Sequence, residues 1–267
     1  MLIVESTRLD ACYNLALEDY LLDEVERRGR ILCLYCNSDA VVIGKNQNPW
    51  RECDVRRLRA EGVALARRVS GGGAVYHDEG NLNFSIMLPR HEYDPAGPFR
   101  TVQAALLRAG IASARTGTHS LTMAGRKFSG NAFCLRRNTS LHHGTLLIHS
   151  DLVRLARCLT PGLPGMETKA IPSVPAQVMN LREIKPSLTR EELSGALAAE
   201  FTERYGGGER ITDRDVDAAA LAPYEAKMRT WEWIYGHTPR FEVDVAGRGR
   251  LVIEDGLVKG TGQRFDV

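Results

Sequence analysis

Very little in this sequence is extreme. Net charge is only +2 over 267 residues, so no strong field for nucleic acid or a membrane surface is implied. No apolar run approaches the length of a membrane-crossing helix, and no basic start followed by an apolar stretch opens the chain. A cytoplasmic protein without nucleic-acid or membrane partners is expected. Cysteine is sparse: Cys12, Cys33, Cys36, Cys53, Cys134 and Cys158 are scattered, which argues against a disulfide framework. Cys33-Leu34-Tyr35-Cys36 is formally a CxxC, but no second Cys or His pair follows nearby. Residues three apart on a strand also point to opposite faces. No metal site is expected. Apolar and charged fractions of 43% and 25% are ordinary for a globular protein. The length suits one large domain, or one domain with a small appendage.

Glycine, by contrast, is concentrated. Arg67-Arg68-Val69-Ser70-Gly71-Gly72-Gly73-Ala74-Val75-Tyr76-His77-Asp78 sets three glycines between a basic pair and an apolar run. Bare backbone N–H groups in such a loop can line an anion-binding concavity, and Arg68 adds a fixed fork of donors. The bland reading is a linker or turn. Strand-like flanks, Val63 to Ala66 and Ala74 to Tyr76, and the alternation from Gly80 to Met87 favour a glycine-rich hairpin facing a ligand. A second triplet, Gly206-Gly207-Gly208, follows a helix that a capping box starts at Thr189, and reads only as its stop.

Helices are expected over Asn14–Val25, Cys53–Glu61 with Gly62 as its stop, Phe99–Ala109 and Leu152–Cys158, and strands over Ile31–Tyr35 and Ala40–Ile43. Ile111 to Leu121 is ambiguous between strand and loop. Gly125-Arg126-Lys127-Phe128-Ser129-Gly130-Asn131-Ala132 places a lysine between two glycines, either a solvated turn or a cation beside a ligand. His142-His143-Gly144-Thr145 opens an apolar strand, on which adjacent histidines cannot share one metal. Gly162 to Pro175 is rich in proline and glycine, a long loop of the kind that carries function or mobility. Phe241 to Val258 reads as two short strands.

Together these segments resemble the lipoate–protein ligase family. The Arg67-Arg68…Asn81 stretch is similar to its lipoate-binding signature, Gly125–Ala132 to its lysine motif, and His142–Leu147 to its third motif. Val42–Asn48 and Trp231-Glu232-Trp233 with Gly236 match further landmarks, in collinear order from about Ala11 to Phe241. The resemblance implies an α+β fold, the biotin/lipoyl ligase-like catalytic domain related to class II synthetases, with mixed and antiparallel sheets flanked by helices. It implies residues 1–240 as catalytic domain and 241–267 as a short vestige of an accessory domain. The implied chemistry joins lipoate and Mg-ATP into lipoyl-AMP. The lipoyl group then passes to a lysine of a lipoyl domain of a 2-oxoacid dehydrogenase E2 or of glycine-cleavage H protein.

On that resemblance Lys127 is the catalytic cation at the carboxylate–phosphate junction. Arg68, Ser70 and the Gly71, Gly72 and Gly73 backbone would hold the carboxyl end. Val75 and Tyr76 would flank adenine, His77 and His143 form a polar wall, and Tyr35 line the dithiolane pocket. Ala74, Asn81, Asn83, Ser129, Gly130, Ala132, Gly144 and Thr145 complete the expected binding set. His119-Ser120 stands where the family commonly has an Asn-Asp pair. A monomer is expected, with a separate small accessory subunit as an option. Three other readings stand beside ligation. One is a lipoyl or octanoyl transferase using a preformed donor, against which the lack of Cys from Ala114 to Met123 counts. The others are a biotin ligase and a non-catalytic lipoate-binding protein.

Overall fold

The structure, a computed structural model, describes residues 1–266. Val267, the last residue of the expected extension, lies outside the described residues. The strands in chain order are β1 (Leu2–Glu5), β2 (Ile31–Tyr35), β3 (Ala40–Ile43), β4 (Ala64–Arg67), β5 (Val75–His77), β6 (Asn81–Pro89), β7 (Ala114–Thr116), β8 (Ser120–Met123), β9 (Arg126–Leu135), β10 (Thr139–Leu147), β11 (Glu167–Thr168), β12 (Glu209–Thr212), β13 (Phe241–Val245), β14 (Gly249–Glu254) and β15 (Leu257–Val258). The α-helices are α1 (Ala11–Arg28), α2 (Pro49–Glu52), α3 (Val55–Ala60), α4 (Gly97–Arg108), α5 (Leu152–Cys158), α6 (Arg190–Tyr205) and α7 (Ala218–Arg229). An α+β architecture results, as expected.

The main sheet has eight strands in the order β12-β1-β2-β6-β10-β9-β8-β7. β12, β1 and β2 run parallel to one another and the rest pair antiparallel. One face buries Phe84, Phe99, Phe128 and Phe201 under α4 and α6, and α1 packs on the other with Leu17, Leu21 and Leu22. Fully burying such a side chain stabilises by about 1.5–3 kcal/mol. A three-stranded sheet, β4-β3-β5, stands apart from the main one. A third sheet, β11-β13-β14-β15, packs Phe241, Val243 and Ile253 into the cluster that holds Trp50, Val41 and Ile43.

Several expectations need correction. The glycine loop is not a hairpin. β4 and β5 do not pair with each other; both pair with β3, β4 parallel and β5 antiparallel. Because β3 lies between them, the glycines cross from one side of β3 to the other. The expected helix Cys53–Glu61 is α3, Val55–Ala60, with the short α2 just before it. Asp54 caps α3 by accepting from Arg57 N, and Cys53 is extended between the two at φ −152°. The ambiguous Ile111–Leu121 holds β7 and the start of β8, and Phe241 to Val258 holds three strands rather than two. Helix α1 is longer than expected because Asp10 caps it and Gly29, at φ 76°, closes it. Among the described residues, no helix is long and apolar enough to cross a membrane.

Candidate active site

The register of the main sheet defines a trough. Tyr35 lies opposite Asn83, Asn83 opposite Thr145, and Gly130 opposite Ser120. The Gly130 N–H donates to Thr145 Oγ1 at 3.1 Å, which closes the row. Five neighbouring strands therefore each contribute one residue, and at the usual strand spacing the row spans roughly 19 Å. All five residues line one cavity of about 450 Å³. Its opposite wall comes from the small sheet and its loop, with Val42, Arg68, Gly72, Gly73, Ala74, Val75 and His77. Residues 171–176 form the third side.

Two buried arginines shape the glycine loop. Arg67 donates to the carbonyls of Gly44, Lys45, Gln47 and Ile234 and to Thr238 Oγ1. Arg68 donates to Val42 O, to Gly71 O and Gly73 O, and to Ser70 Oγ. Burial pulls both guanidinium pKa values down to about 10, so both remain cations at neutral pH. The expectation that Arg68 holds a ligand carboxylate is thus corrected in part, because most of its donors organise the loop itself. Gly72 sits at φ 87°, and a Cβ there would meet Arg68 Nη2 at 3.0 Å. Loop Gly44–Asn48 packs so closely that a Cβ on Gly44 would lie 2.3 Å from Gly72 O.

Lys127 lies at one end of the trough. The β8–β9 turn, Ala124-Gly125 with both φ positive, is the type that suits a two-residue hairpin. It delivers Lys127 onto Gly130, where a Cβ would meet Lys127 Nζ at 3.2 Å. The lysine backbone is pinned on both sides: its N–H donates to Gln177 O and its C=O accepts from Met179 N. Its ammonium has no hydrogen-bond or ion-pair partner among the described residues. Burial, and then the charge of Arg68, lowers its pKa below the ordinary 10.5. No Asp or Glu lines the cavity. Two cations facing a lining without anions make a site for an anionic ligand.

Helix α1 sends two polar chains into the site, from Asn14 and Glu18, one turn apart and fully buried. Asn14 Nδ2 donates to Asn37 Oδ1, and Asn37 Nδ2 donates to His77 Nδ1 at 2.9 Å. Glu18 Oε2 accepts from His143 Nδ1 at 2.7 Å, and His143 Nε2 lies 2.6 Å from Ser70 Oγ. His142, on the opposite face, packs between Phe99 and Phe133. The loop over the cavity is held by Ser173. Its Oγ accepts from Ala74 N and Gln47 Nε2 and donates to buried Glu52.

The cavity thus gathers Tyr35, Arg68, Gly72, Gly73, Ala74, Val75, His77, Asn83, Lys127, Gly130, Ala132, His143, Gly144 and Thr145 from the expected set. Ser70, Asn81 and Ser129 are buried beside the lining, and Gly71 is exposed outside it. Tyr76 is a correction: strand alternation turns its ring away from Val75 and His77 into the Trp50 cluster, and its O–H donates to Asp39. Sequence reasoning missed Leu15, Val42, Asn131, Asn37 and Glu18. The i, i+4 polar pair within the apolar α1 was the signal that could have found Asn14 and Glu18.

Residues 10–202 match the family model described as the lipoyl protein ligase A/B catalytic domain. A lipoate-protein ligase A of Psychrobacter cryohalolentis is 38% identical over 248 residues, covering 90% of this chain and 73% of the relative. A lipoate-bound structure from P. falciparum, LipL1, superposes with a TM-score of 0.79 at 29% identity, covering 96% of this chain and 82% of that one. A structure of lipoate-protein ligase A bound with ATP superposes with a TM-score of 0.71 at 25% identity, covering 87% and 96%.

Proposed function

The chain belongs to the lipoyl protein ligase A/B catalytic domain family, and from that premise we infer that it activates lipoate with ATP to lipoyl-AMP and transfers the lipoyl group to a lysine. The observation that carries this is the unpaired Lys127 ammonium beside Gly130, in a cavity whose lining holds a second cation and no carboxylate. In activation a lipoate carboxylate oxygen attacks the α-phosphorus of ATP. The bond to the bridging oxygen breaks, and pyrophosphate leaves with the electron pair. Two anions must meet for this, and a preorganised cation is worth most where that charge gathers. Lys127 supplies it at one end of the trough, and the Gly72–Ala74 backbone, held open by Arg68, gives the ligand close approach. In transfer the neutral acceptor amine attacks the acyl carbonyl. AMP leaves with the electron pair and the amine proton is released; holding the partners together does most of the work.

Magnesium enters with the nucleotide. The cavity lining offers it no carboxylate, and among the described residues no cluster of His, Cys, Asp or Glu suits a metal. A protein-held Mg²⁺ usually has one or two carboxylates, so the residues present do not fit one and no step is assigned to it. We propose residues 1–240 as the catalytic domain with 241–267 as a short extension. The acceptor is a lipoyl domain of a 2-oxoacid dehydrogenase E2 or glycine-cleavage H protein.

The test is mass spectrometry of a lipoyl domain after incubation with the chain, Mg-ATP and lipoate, beside a parallel run with lipoyl-AMP. One lipoyl group on one lysine is expected in both. Because the lining lacks a carboxylate, the supplied adenylate is expected to react faster. Transfer from lipoyl-AMP alone would favour the transferase reading, and no transfer in either run would leave a binding protein.

A further inference from the structure

The trough has two unlike ends. At Gly130 and Ser120 lies Lys127. Toward the other end, two and three strands from Gly130, lie Asn83 and Tyr35, and His77 is hydrogen-bonded to Asn37. The tautomer of His77 follows from its neighbours. Asn14 Nδ2 donates to two backbone carbonyls, Arg8 O and Cys36 O, which fixes its orientation and makes Asn37 Oδ1 the acceptor of their contact. Asn37 must then present its N–H₂ to His77 Nδ1, so the ring proton sits on Nε2. Burial lowers the His77 pKa to about 3, and the ring stays neutral. His77 Nε2 is buried and has no hydrogen-bond partner among the described residues; Asn83 Nδ2 is in the same state. Both residues are nearly inaccessible, at 3% and 2%, yet both line the cavity. A buried donor without a partner costs about 1–3 kcal/mol, and here two face the same cavity.

An acid whose carboxylate meets Lys127 extends its tail along the row toward Tyr35, Asn83 and His77. Lipoate ends in a ring with two divalent sulfurs, which are weak hydrogen-bond acceptors. Octanoate ends in a methyl group, which accepts nothing. We propose that His77, through Nε2–H and with Asn83 beside it, reads the sulfur of the tail and makes the site select lipoate over carbon-only acids. The inference rests on the acid-activating reading of the same cavity. It makes His77 a specificity residue at the tail rather than only part of a polar wall.

The test measures pyrophosphate release with Mg-ATP and three acids: lipoate, octanoate, and 5-cyclopentylpentanoate, which keeps the ring shape without sulfur. In the unaltered chain, kcat/KM for lipoate is expected to exceed that for the cyclopentyl acid by roughly fivefold, the worth of one modest hydrogen bond. His77→Phe should bring the ratio toward one by lowering lipoate alone, and His77→Gln, which can still offer an N–H, should restore part of it. Should His77→Phe fail to fold, the acid comparison in the unaltered chain decides alone. Equal use of lipoate and the cyclopentyl acid overturns the proposal, as does an unchanged ratio in a folded His77→Phe. Release from none of the acids overturns the acid-activating reading, and this inference with it.

Discussion

The two ends of the cavity are built by opposite means. At the Lys127 end, charge is concentrated and its neighbours are small: Gly130 and Gly144 bring backbone close, and a Cβ on Gly144 would lie 2.7 Å from Asn131 Oδ1. At the Tyr35 end the groups are neutral and fixed through a buried network that begins on α1. Lys127 meets a ligand as a point charge, which tolerates small displacements. His77 meets it as one directed N–H, which does not. Rate should therefore depend on the first end and choice of acid on the second.

The sharpest way to break that division is to remove the charge. Lys127→Ala is expected to lower kcat/KM for pyrophosphate release by about 10²–10³-fold, with the melting temperature nearly unchanged, because its side chain carries no structural contact to a partner. Near-normal release would mean that the charged end is not where activation occurs. A smaller effect is expected from the loop between the ends. Gly72→Val forces a β-branched residue to φ 87° and against Arg68, a strain of about 1–3 kcal/mol. Lipoyl-AMP affinity by calorimetry should fall at least about tenfold if the loop relaxes away from the ligand. Gly207→Val, in the second triplet, meets nothing within 4 Å and should leave affinity intact. Equal losses from both would reduce the first triplet to a turn like the second.

Much of this site was legible in the sequence and some was not, for physical reasons. Lys127, Gly130 and the Gly71–Gly73 loop announce themselves because local chemistry and local backbone coincide. The path of the loop did not. Whether two strands flanking a turn pair with each other or with a third depends on a partner far off in the chain, and here β3 takes both. Arg68 was legible as a cation but not as a brace for its own loop, since the carbonyls it holds become acceptors only once the loop has its shape. Tyr76 was misplaced for want of strand register, because one residue along β5 decides which face a ring occupies. Asn37 was invisible as a site residue: it does not line the cavity and acts through a histidine.

The finest expected effect concerns the protonation of Lys127. Desolvation and the Arg68 charge both disfavour its ammonium form, so its pKa lies below the ordinary 10.5. Only the ammonium steadies the gathering negative charge. Pyrophosphate release, measured without acceptor so that no substrate amine titrates, should be flat through neutral pH and decline as pH rises through the lowered value. The decline should begin earlier than an exposed lysine would allow. Lys127→Arg separates this group from the rest of the cavity. A guanidinium keeps its proton over that range, so the alkaline decline should move upward. An alkaline limb that stays in place in Lys127→Arg would assign the titration to another group and remove the argument that burial tunes the charged end.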